Sequence, residues 1–319
     1  MIRPVLTHPT TAVVGATHLG RAAAFFGAMG ALPYSAPDLS ASAAGALYGL
    51  DRPLRQIVLR TPGSATTVRV VETPNAAPPF RALDTGAYGL DIFTRDLDVT
   101  MSGVRATGGH NITPLVPYGP ERTIQPDAPD FLNQEVLFQG PDEITVYITD
   151  TTVSTNEWPT VLHTEPRQIN SEIVMLCWVV PDNDVERAFW ENEAQLVVVG
   201  DGYPDNDAMV KLMYHPRPTP LRCVNISDAA SGTKMELMSY PEEETTQRPE
   251  WPLVGGFHGA HFEVADLDNT MTALPSASFG EVVVADDGEG ERRAVTGVSP
   301  GGVRFELWET NAAQQDASA

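Results

Sequence analysis

Lysine is almost missing from this chain: Lys211 and Lys234 are the only two in 319 residues, and the remaining basic residues are all arginine. Basic residues of either kind are scarce, with 20 set against 42 acidic ones for a net charge of -22. Such a surface repels nucleic acid phosphates and anionic membranes, which excludes both as expected partners. Cysteine is nearly absent as well. Cys177 and Cys223 have neither metal-motif spacing nor a disulfide framework, so they fit a reducing cytoplasm. No apolar run reaches the roughly 18 residues that a membrane span needs. His18 and Arg21 interrupt the early apolar stretch, so no secretory signal is expected. One more absence matters. Val13-Val-Gly-Ala-Thr-His-Leu-Gly20 looks like a dinucleotide-binding turn, but the central glycine of that fingerprint is missing. Strand follows strand after it, where a nucleotide fold would alternate strand and helix.

What is present is a repeat. Apolar residues make up 42% of the chain, which is ordinary for a globular protein, and the length allows two domains. Strand, polar cap, short helix and three further strands recur four times. The first unit has a strand at Thr10–Thr17 and a helix from His18 with Leu19, Ala22, Phe26 and Met29 at helical spacing. Strands are expected at Ala46–Leu50, Gln56–Arg60 and Thr67–Glu72. In the second, Tyr88–Thr94 leads to Asp96, which caps a helix over Leu97–Ala106. Strands follow near Phe131–Phe138 and Ile144–Asp150, and the proline-rich Pro114–Pro129 reads as a loop able to cover a cavity mouth. The third unit runs from Glu172–Val180 through a helix over Val185–Ala194. Its strands are placed near Leu196–Val199, Met209–His215, Leu221–Ile226 and Lys234–Ser239. The fourth opens at Gly255–Asp268, with strands near Glu281–Ala285, Arg292–Val298 and Val303–Glu309 and a frayed polar tail over Thr310–Ala319. Within the second unit, Glu135-Val-Leu-Phe-Gln-Gly-Pro141 resembles the recognition sequence of rhinoviral 3C protease. Because the strand pattern continues on both sides, it reads as a strand and turn of the fold.

Ala12–Phe26, Leu90–Val104, Leu176–Trp190 and His261–Leu274 carry a resemblance to the βαβββ modules of the vicinal oxygen chelate superfamily, which includes glyoxalase I, extradiol dioxygenases and bleomycin-resistance proteins. The ends Asp142–Tyr147 and Gly301–Leu307 are similar to that family's last strand. The resemblance implies an α+β fold of four βαβββ modules paired into two half-open mixed-sheet barrels. The domains are expected over residues 1–155 and 165–319, the second with the better site. A homodimer in the cytoplasm with a small-molecule ligand is expected.

In that family the metal ligands lie on the first and last strands of a module, the former seven residues before the helix cap. Counting back from His18, Asp96, Asp182 and Asp266 gives Thr11, Gly89, Met175 and Gly259, none of them a natural ligand. The last-strand position reads Glu236 in unit three, Glu306 in unit four and Tyr147 in unit two, with Val70 or Glu72 open in unit one. His261, Glu236 and Glu306 are therefore the candidate catalytic and metal-ligating residues, and Cys177, Trp178, Arg304 and Trp308 the candidate substrate contacts. One imidazole and two carboxylates suit Fe, Mn, Zn, Co or Ni. Without a metal, a shielded carboxylate and His261 can still exchange protons with a carbon acid. The expected function is an enzyme acting on a small organic molecule, aromatic or carbonyl, by lyase, isomerase or dioxygenase chemistry in a C-terminal pocket. The alternative is a metal-free binding or sequestration protein of the bleomycin-resistance type. His258 should face away from the pocket by alternation unless a bulge reverses it.

Overall fold

The computed structural model describes residues 5–81, 83–118, 133–150, 159–204, 206–215, 219–228, 233–249 and 251–310. Most of the Pro114–Pro129 loop, the start of the Phe131–Phe138 segment and the tail beyond Thr310 lie outside the described residues.

The first module contains β1 (Thr11–Ala16), α1 (Leu19–Ala28), β2 (Leu32–Ser35), β3 (Asp38–Leu39), α2 (Ala41–Tyr48), β4 (Leu54–Arg60) and β5 (Thr67–Glu72). The second contains β6 (Asp84–Thr94), α3 (Leu97–Ala106), β7 (His110–Asn111), β8 (Val116–Tyr118), β9 (Asn133–Gln139) and β10 (Thr145–Asp150). A short helix, α4 (Val161–Thr164), precedes the third module. That module holds β11 (Asn170–Val179), α5 (Asn183–Ala188) with a π turn over Phe189–Glu193, β12 (Val197–Gly202), α6 (Asn206–Leu212), β13 (Arg222–Ser227) and β14 (Lys234–Ser239). After β15 (Thr246–Gln247) the fourth module has β16 (Gly256–Val264), α7 (Leu267–Ala273), β17 (Ser278–Phe279), β18 (Val283–Asp286), β19 (Glu291–Val298) and β20 (Arg304–Glu309). The first strands and helices stand where the sequence places them. Asp96, Asp182 and Asp266 accept hydrogen bonds from the first turns of α3, α5 and α7, whereas His18 makes no side-chain cap.

Two expected strands are helices. Ala41–Tyr48 is alanine-rich and so favours helix, and Ser40 accepts a hydrogen bond from Ala43 N at 3.2 Å. Gly49 ends the helix at φ 69°, a left-handed conformation that suits glycine, and a Cβ there would press on the Trp251 ring at 2.8 Å. In the third module α6 takes the place of the strand expected over Met209–His215. The two helices are equivalent insertions. Tyr48 and Leu47 of α2 join Val13, Val71 and Trp308 in one apolar cluster, and Met209 and Leu212 of α6 join Leu137, Cys177 and Met238 in another. Each helix therefore packs on the inner face of one sheet.

There are two ten-stranded mixed sheets, and neither is closed into a full barrel. One is ordered β17-β19-β20-β16-β1-β5-β4-β2; the other β12-β13-β14-β11-β6-β10-β9-β7. The pairing of modules differs from the expected one. β1 bonds antiparallel to β16, so the first module shares its sheet with the fourth; β6 bonds to β11, so the second shares with the third. Each sheet thus draws strands from both sides of the expected boundary at 155–165, and no barrel is made from the C-terminal half alone. The first strand of each module is its free edge, and the four edges pair as β1 with β16 and β6 with β11. A further core joins the opposite faces of both sheets through α1, α3, α7 and the aromatic pair Phe189 and Trp190. No helix among the described residues is long and apolar enough to cross a membrane.

Register makes the four modules comparable. Residues five before each helix cap pair with the last strand as Val13↔Arg69, Asp91↔Tyr147, Cys177↔Glu236 and His261↔Glu306. All eight belong to the inner faces, because their neighbours in sequence fill the core between the sheets.

Candidate functional site

The inner face of the first–fourth barrel carries a buried polar network. Glu306, 2% exposed, accepts hydrogen bonds from Tyr48 Oη at 2.8 Å, from Trp308 Nε1 at 2.6 Å and from the Arg69 guanidinium. Arg69 reaches it from β5, the equivalent last strand of the first module, so the position left open between Val70 and Glu72 is Arg69. Arg292 of β19 binds Asp287 and donates to Glu263 at 3.0 Å. Three carboxylates, the buried Glu306 and Asp287 and the half-buried Glu263, are thereby bound by two guanidinium groups, both lying over the Trp308 ring, at 4.8 and 5.8 Å from its centroid. The turn after β18 ties this barrel together. Gln56 donates to Asp286 O, and Arg60 pairs with Glu289 at 2.8 Å.

His261 stacks on Trp308 with centroids 5.3 Å apart and planes 4° from parallel. Its Nε2 lies 3.9 Å from Asp287 Oδ2, too far for a hydrogen bond. Neither ring nitrogen has a protein partner. Burial, then the charges of Arg69 and Arg292, push its pKa well below the usual histidine range and keep the ring neutral. The same region holds further unpartnered atoms: Nε and Nη1 of Arg69, Nε of Arg292 and Oε1 of Gln56. The side chains that carry them are all at most 3% exposed. His258 also faces this barrel. A bulge shifts the β1–β16 register from Val13↔Gly259 to Val14↔Phe257, and the skipped His258 turns inward to meet Tyr48 edge-on at 6.2 Å. Burial, with Arg304 adding to it, lowers its pKa to about 3.

The candidate residues therefore separate. His261, Glu306 and Trp308 come together. Glu236 and Cys177 face each other in the second–third barrel, across the molecule's core from His261. Trp178 lies on the opposite face of its strand from Cys177, packed on Phe257 at 5.0 Å between the sheets. Arg304 shares inward parity with Glu306 and stacks over Trp251 at 4.6 Å, at the rim of the first–fourth barrel. Arg69, Tyr48, Arg292 and Asp287 escaped the sequence reading. Arg69 left one signal: a single charge inside Val68-Arg-Val-Val71, at the parity of the inward Val71.

The second–third barrel differs in sign. Asp91, Glu135 and Cys177 are buried on its inner face with Tyr147, and Glu236 is half-buried there. Burial, then Glu135 and Glu236, raise the Asp91 pKa well above the carboxylate range; burial and Glu236 do the same to the Cys177 thiol. A protonated thiol of this kind is a small core group, not a nucleophile.

A divalent metal does not fit these residues. The expected trio is divided between two barrels, and Glu306 already has three donors including a full positive charge. Among the described residues no three His, Cys, Asp or Glu side chains gather closely enough to hold an ion.

No protein-family model and no curated protein matches the chain. Solved structures do. Glyoxalase I from Zea mays superposes with a TM-score of 0.62 at 10% identity, covering 97% of this chain and 94% of that one. A point mutant of the same maize enzyme gives 0.64 at 12% identity over the same shares, 97% and 94%. A candidate dioxygenase from Bacillus subtilis gives 0.59 at 11% identity, covering 95% and 85%. The fold is that of the vicinal oxygen chelate superfamily, four βαβββ modules in two half-open barrels, as the sequence implied. The likeness to glyoxalase I runs over nearly the whole of both chains, and at this identity it speaks for the fold alone.

Proposed function

We propose that this chain is an enzyme acting on a small carbonyl-bearing organic molecule in the first–fourth barrel, by proton transfer of lyase or isomerase type and without a metal. The observation that carries this reading is the group of unpartnered nitrogens on His261, Arg69 and Arg292 around one aromatic face. Donors outnumber acceptors there, and the buried charges of Arg69, Arg292, Glu306 and Asp287 cancel. A neutral, acceptor-rich ligand matches that balance better than an anion. A neutral imidazole accepts the proton from a carbon next to the carbonyl: the C–H bond breaks, N–H forms, and the electron pair moves to the oxygen. The Arg69 and Arg292 N–H groups stabilise that oxyanion. Returning the proton to the neighbouring carbon completes an isomerisation. Dioxygenase chemistry would need a metal triad that this donor set does not offer.

The test is exchange of solvent deuterium into a hydroxyketone such as dihydroxyacetone, followed by NMR. Exchange that falls at least 100-fold in His261→Asn, with the fold retained by circular dichroism, supports the reading. Exchange equal to that of buffer, for every carbonyl probe tried, sinks it. A second reading, binding without turnover, is favoured by the cover: α2 seals the network through Tyr48, and the groups beneath it are at most 3% exposed. Saturable binding of the probe with no exchange would select it.

A further inference from the structure

A cavity of about 420 Å³ lies outside both barrels, between the two sheets. It opens where the start of β6 and the end of β11 meet the turn from β19 to β20. That size suits a small organic molecule. Val180, Val185, Val298 and Val303 line it together with the Trp178 indole. Trp178, Val180 and Val303 are at most 1% exposed and form its deep end, whereas Val185, 43% exposed, stands at the rim. The wall made by the turn is fixed in advance. Glu186, fully buried, accepts hydrogen bonds from Ser299 Oγ and from Trp190 Nε1, the latter at 2.7 Å. Ser299 Oγ in turn accepts from Val303 N at 2.8 Å, and Ser299 N donates to Val303 O at 2.9 Å. Gly301 comes so near the carboxylate that a Cβ would stand 2.4 Å from Glu186 Oε1. A buried carboxylate is costly unless it is hydrogen-bonded, and the turn supplies the hydroxyl it needs, so the two hold each other in place. The cavity is therefore a preformed space and not a gap between loose segments.

A second observation points to a ligand. The Nε1–H of Trp178 has no hydrogen-bond partner, although the side chain is among the most deeply buried in the protein. An indole N–H can only donate, and without an acceptor in the interior it bears the full cost of leaving water. A ligand oxygen that reaches it removes that cost. The charges of the wall narrow the class further. No arginine, lysine or histidine is among the described residues that line the cavity, so an anion finds no counter-charge there. Asp182 is the one carboxylate among them; it lies at the exposed rim, and its Oδ1 accepts from Asp184 N and Val185 N as the cap of α5. The deep end thus offers no partner to a cation either.

We propose that this cavity between the sheets binds a neutral, largely apolar molecule that presents a carbonyl oxygen to the Trp178 N–H. Its apolar body lies against the valine side chains of the two sheets, and removing that surface from water supplies most of the affinity. The single hydrogen bond fixes its orientation, as a few placed polar groups do in a mainly apolar pocket. Trp178 is then a ligand contact, but of a site between the sheets and not of a barrel interior. The cavity shares no lining residue with the His261 network, and this inference does not depend on the chemistry proposed there.

Titration of the whole chain, labelled with nitrogen-15 at its tryptophans, with acetophenone tests it by proton–nitrogen NMR. Ethylbenzene, of similar shape but without the oxygen, and benzoate are the companion probes. The expected result is saturable binding of acetophenone near one site per chain, with a shift of the indole signal that Trp178→Phe deletes. Ethylbenzene and benzoate should bind at least tenfold more weakly. Trp178→Phe should bring acetophenone down to the affinity of ethylbenzene, and Val185→Trp, which fills the rim, should weaken acetophenone at least tenfold. Equal binding of acetophenone and ethylbenzene by the wild type would overturn the proposal, as would no saturable binding. So would shifts at other indoles with that of Trp178 unmoved. Displacement of acetophenone by dihydroxyacetone would place both probes in the first–fourth barrel and would likewise refute a separate site. Should Trp178→Phe fold poorly, the wild-type preference for acetophenone and its loss in Val185→Trp, at an exposed position, decide.

Discussion

Arg69 and His258 show how much of the first–fourth barrel is decided by single side chains. Arg69 is 1% exposed and its main counter-charge is Glu306. Removing one partner of such a pair leaves an uncompensated charge in the interior, at a cost of about 3–5 kcal/mol. Arg69→Met is therefore expected to lower unfolding free energy by that amount in urea titrations. The double variant Arg69→Met with Glu306→Leu should recover most of the loss, because no buried charge is then stranded. His258 governs the acid side. Its pKa falls from 6.5 unfolded to about 3 folded, so between those values the unfolded chain holds the extra proton. Stability from this group is complete above about pH 6.5 and is lost as pH falls towards 3. The difference between wild type and His258→Gln isolates that contribution: wild type should lose several kcal/mol more between pH 7 and pH 4, read from the pH dependence of denaturation midpoints. A parallel dependence in the two proteins would show that His258 does not titrate in this way.

At the scale of elements, the two inserted helices are what the sequence concealed. The opening strands and capped helices could be read because their cues are local: alternation in Gly259–Glu263, an aspartate cap at Asp266, apolar spacing after it. The α2 segment offers Ala-Gly-Ala-Leu-Tyr, whose short apolar stretch suits a strand as well as a helix, and α6 offers only seven residues. What makes each a helix is the sheet face it covers, and that face is assembled from distant modules. The candidate site was legible to the same degree. His261 and Glu306 could be paired by counting from a cap, whereas Arg69, Tyr48 and Arg292 join them only through a pairing of modules that no local pattern encodes. Two measurements follow. Gly49→Ala should destabilise by more than about 1 kcal/mol, since it combines a left-handed backbone with a clash against Trp251. Gln139 ends β9, and a Cβ on Gly140 would meet Phe25 at 2.7 Å, so the protease-like segment is part of the packed sheet. The folded protein should resist 3C protease, and cleavage should appear only in denaturant concentrations that open the second module. Rapid cleavage in native buffer would contradict that packing.

For the whole molecule, the first–fourth and second–third pairings mean that neither half of the chain owns a barrel. Fragments cut in the 155–165 region should not behave as two stable monomers: each half has two modules whose edge strands, β1 and β6 or β11 and β16, lack partners. Expressed separately they should aggregate or unfold. Expressed together they should elute as a one-to-one complex in gel filtration, and two independently folded halves would refute the prediction. The same pairing sets an order in time during synthesis. The second–third barrel is complete once residue 247 has been made, while β1, made before any other strand of the fold, must wait for His261 and its neighbours, about 250 residues later. The inner barrel can thus fold as a nested unit, and the outer one closes around it from the two ends of the chain. Its closure requires contacts of very large sequence separation, which makes it the slow step. The proposed catalytic network, with Arg69 from one end and Glu306 from the other, cannot exist until nearly the last residue of the fold has been added, so a chain truncated before β20 would carry Arg69 without its counter-charge and no active barrel.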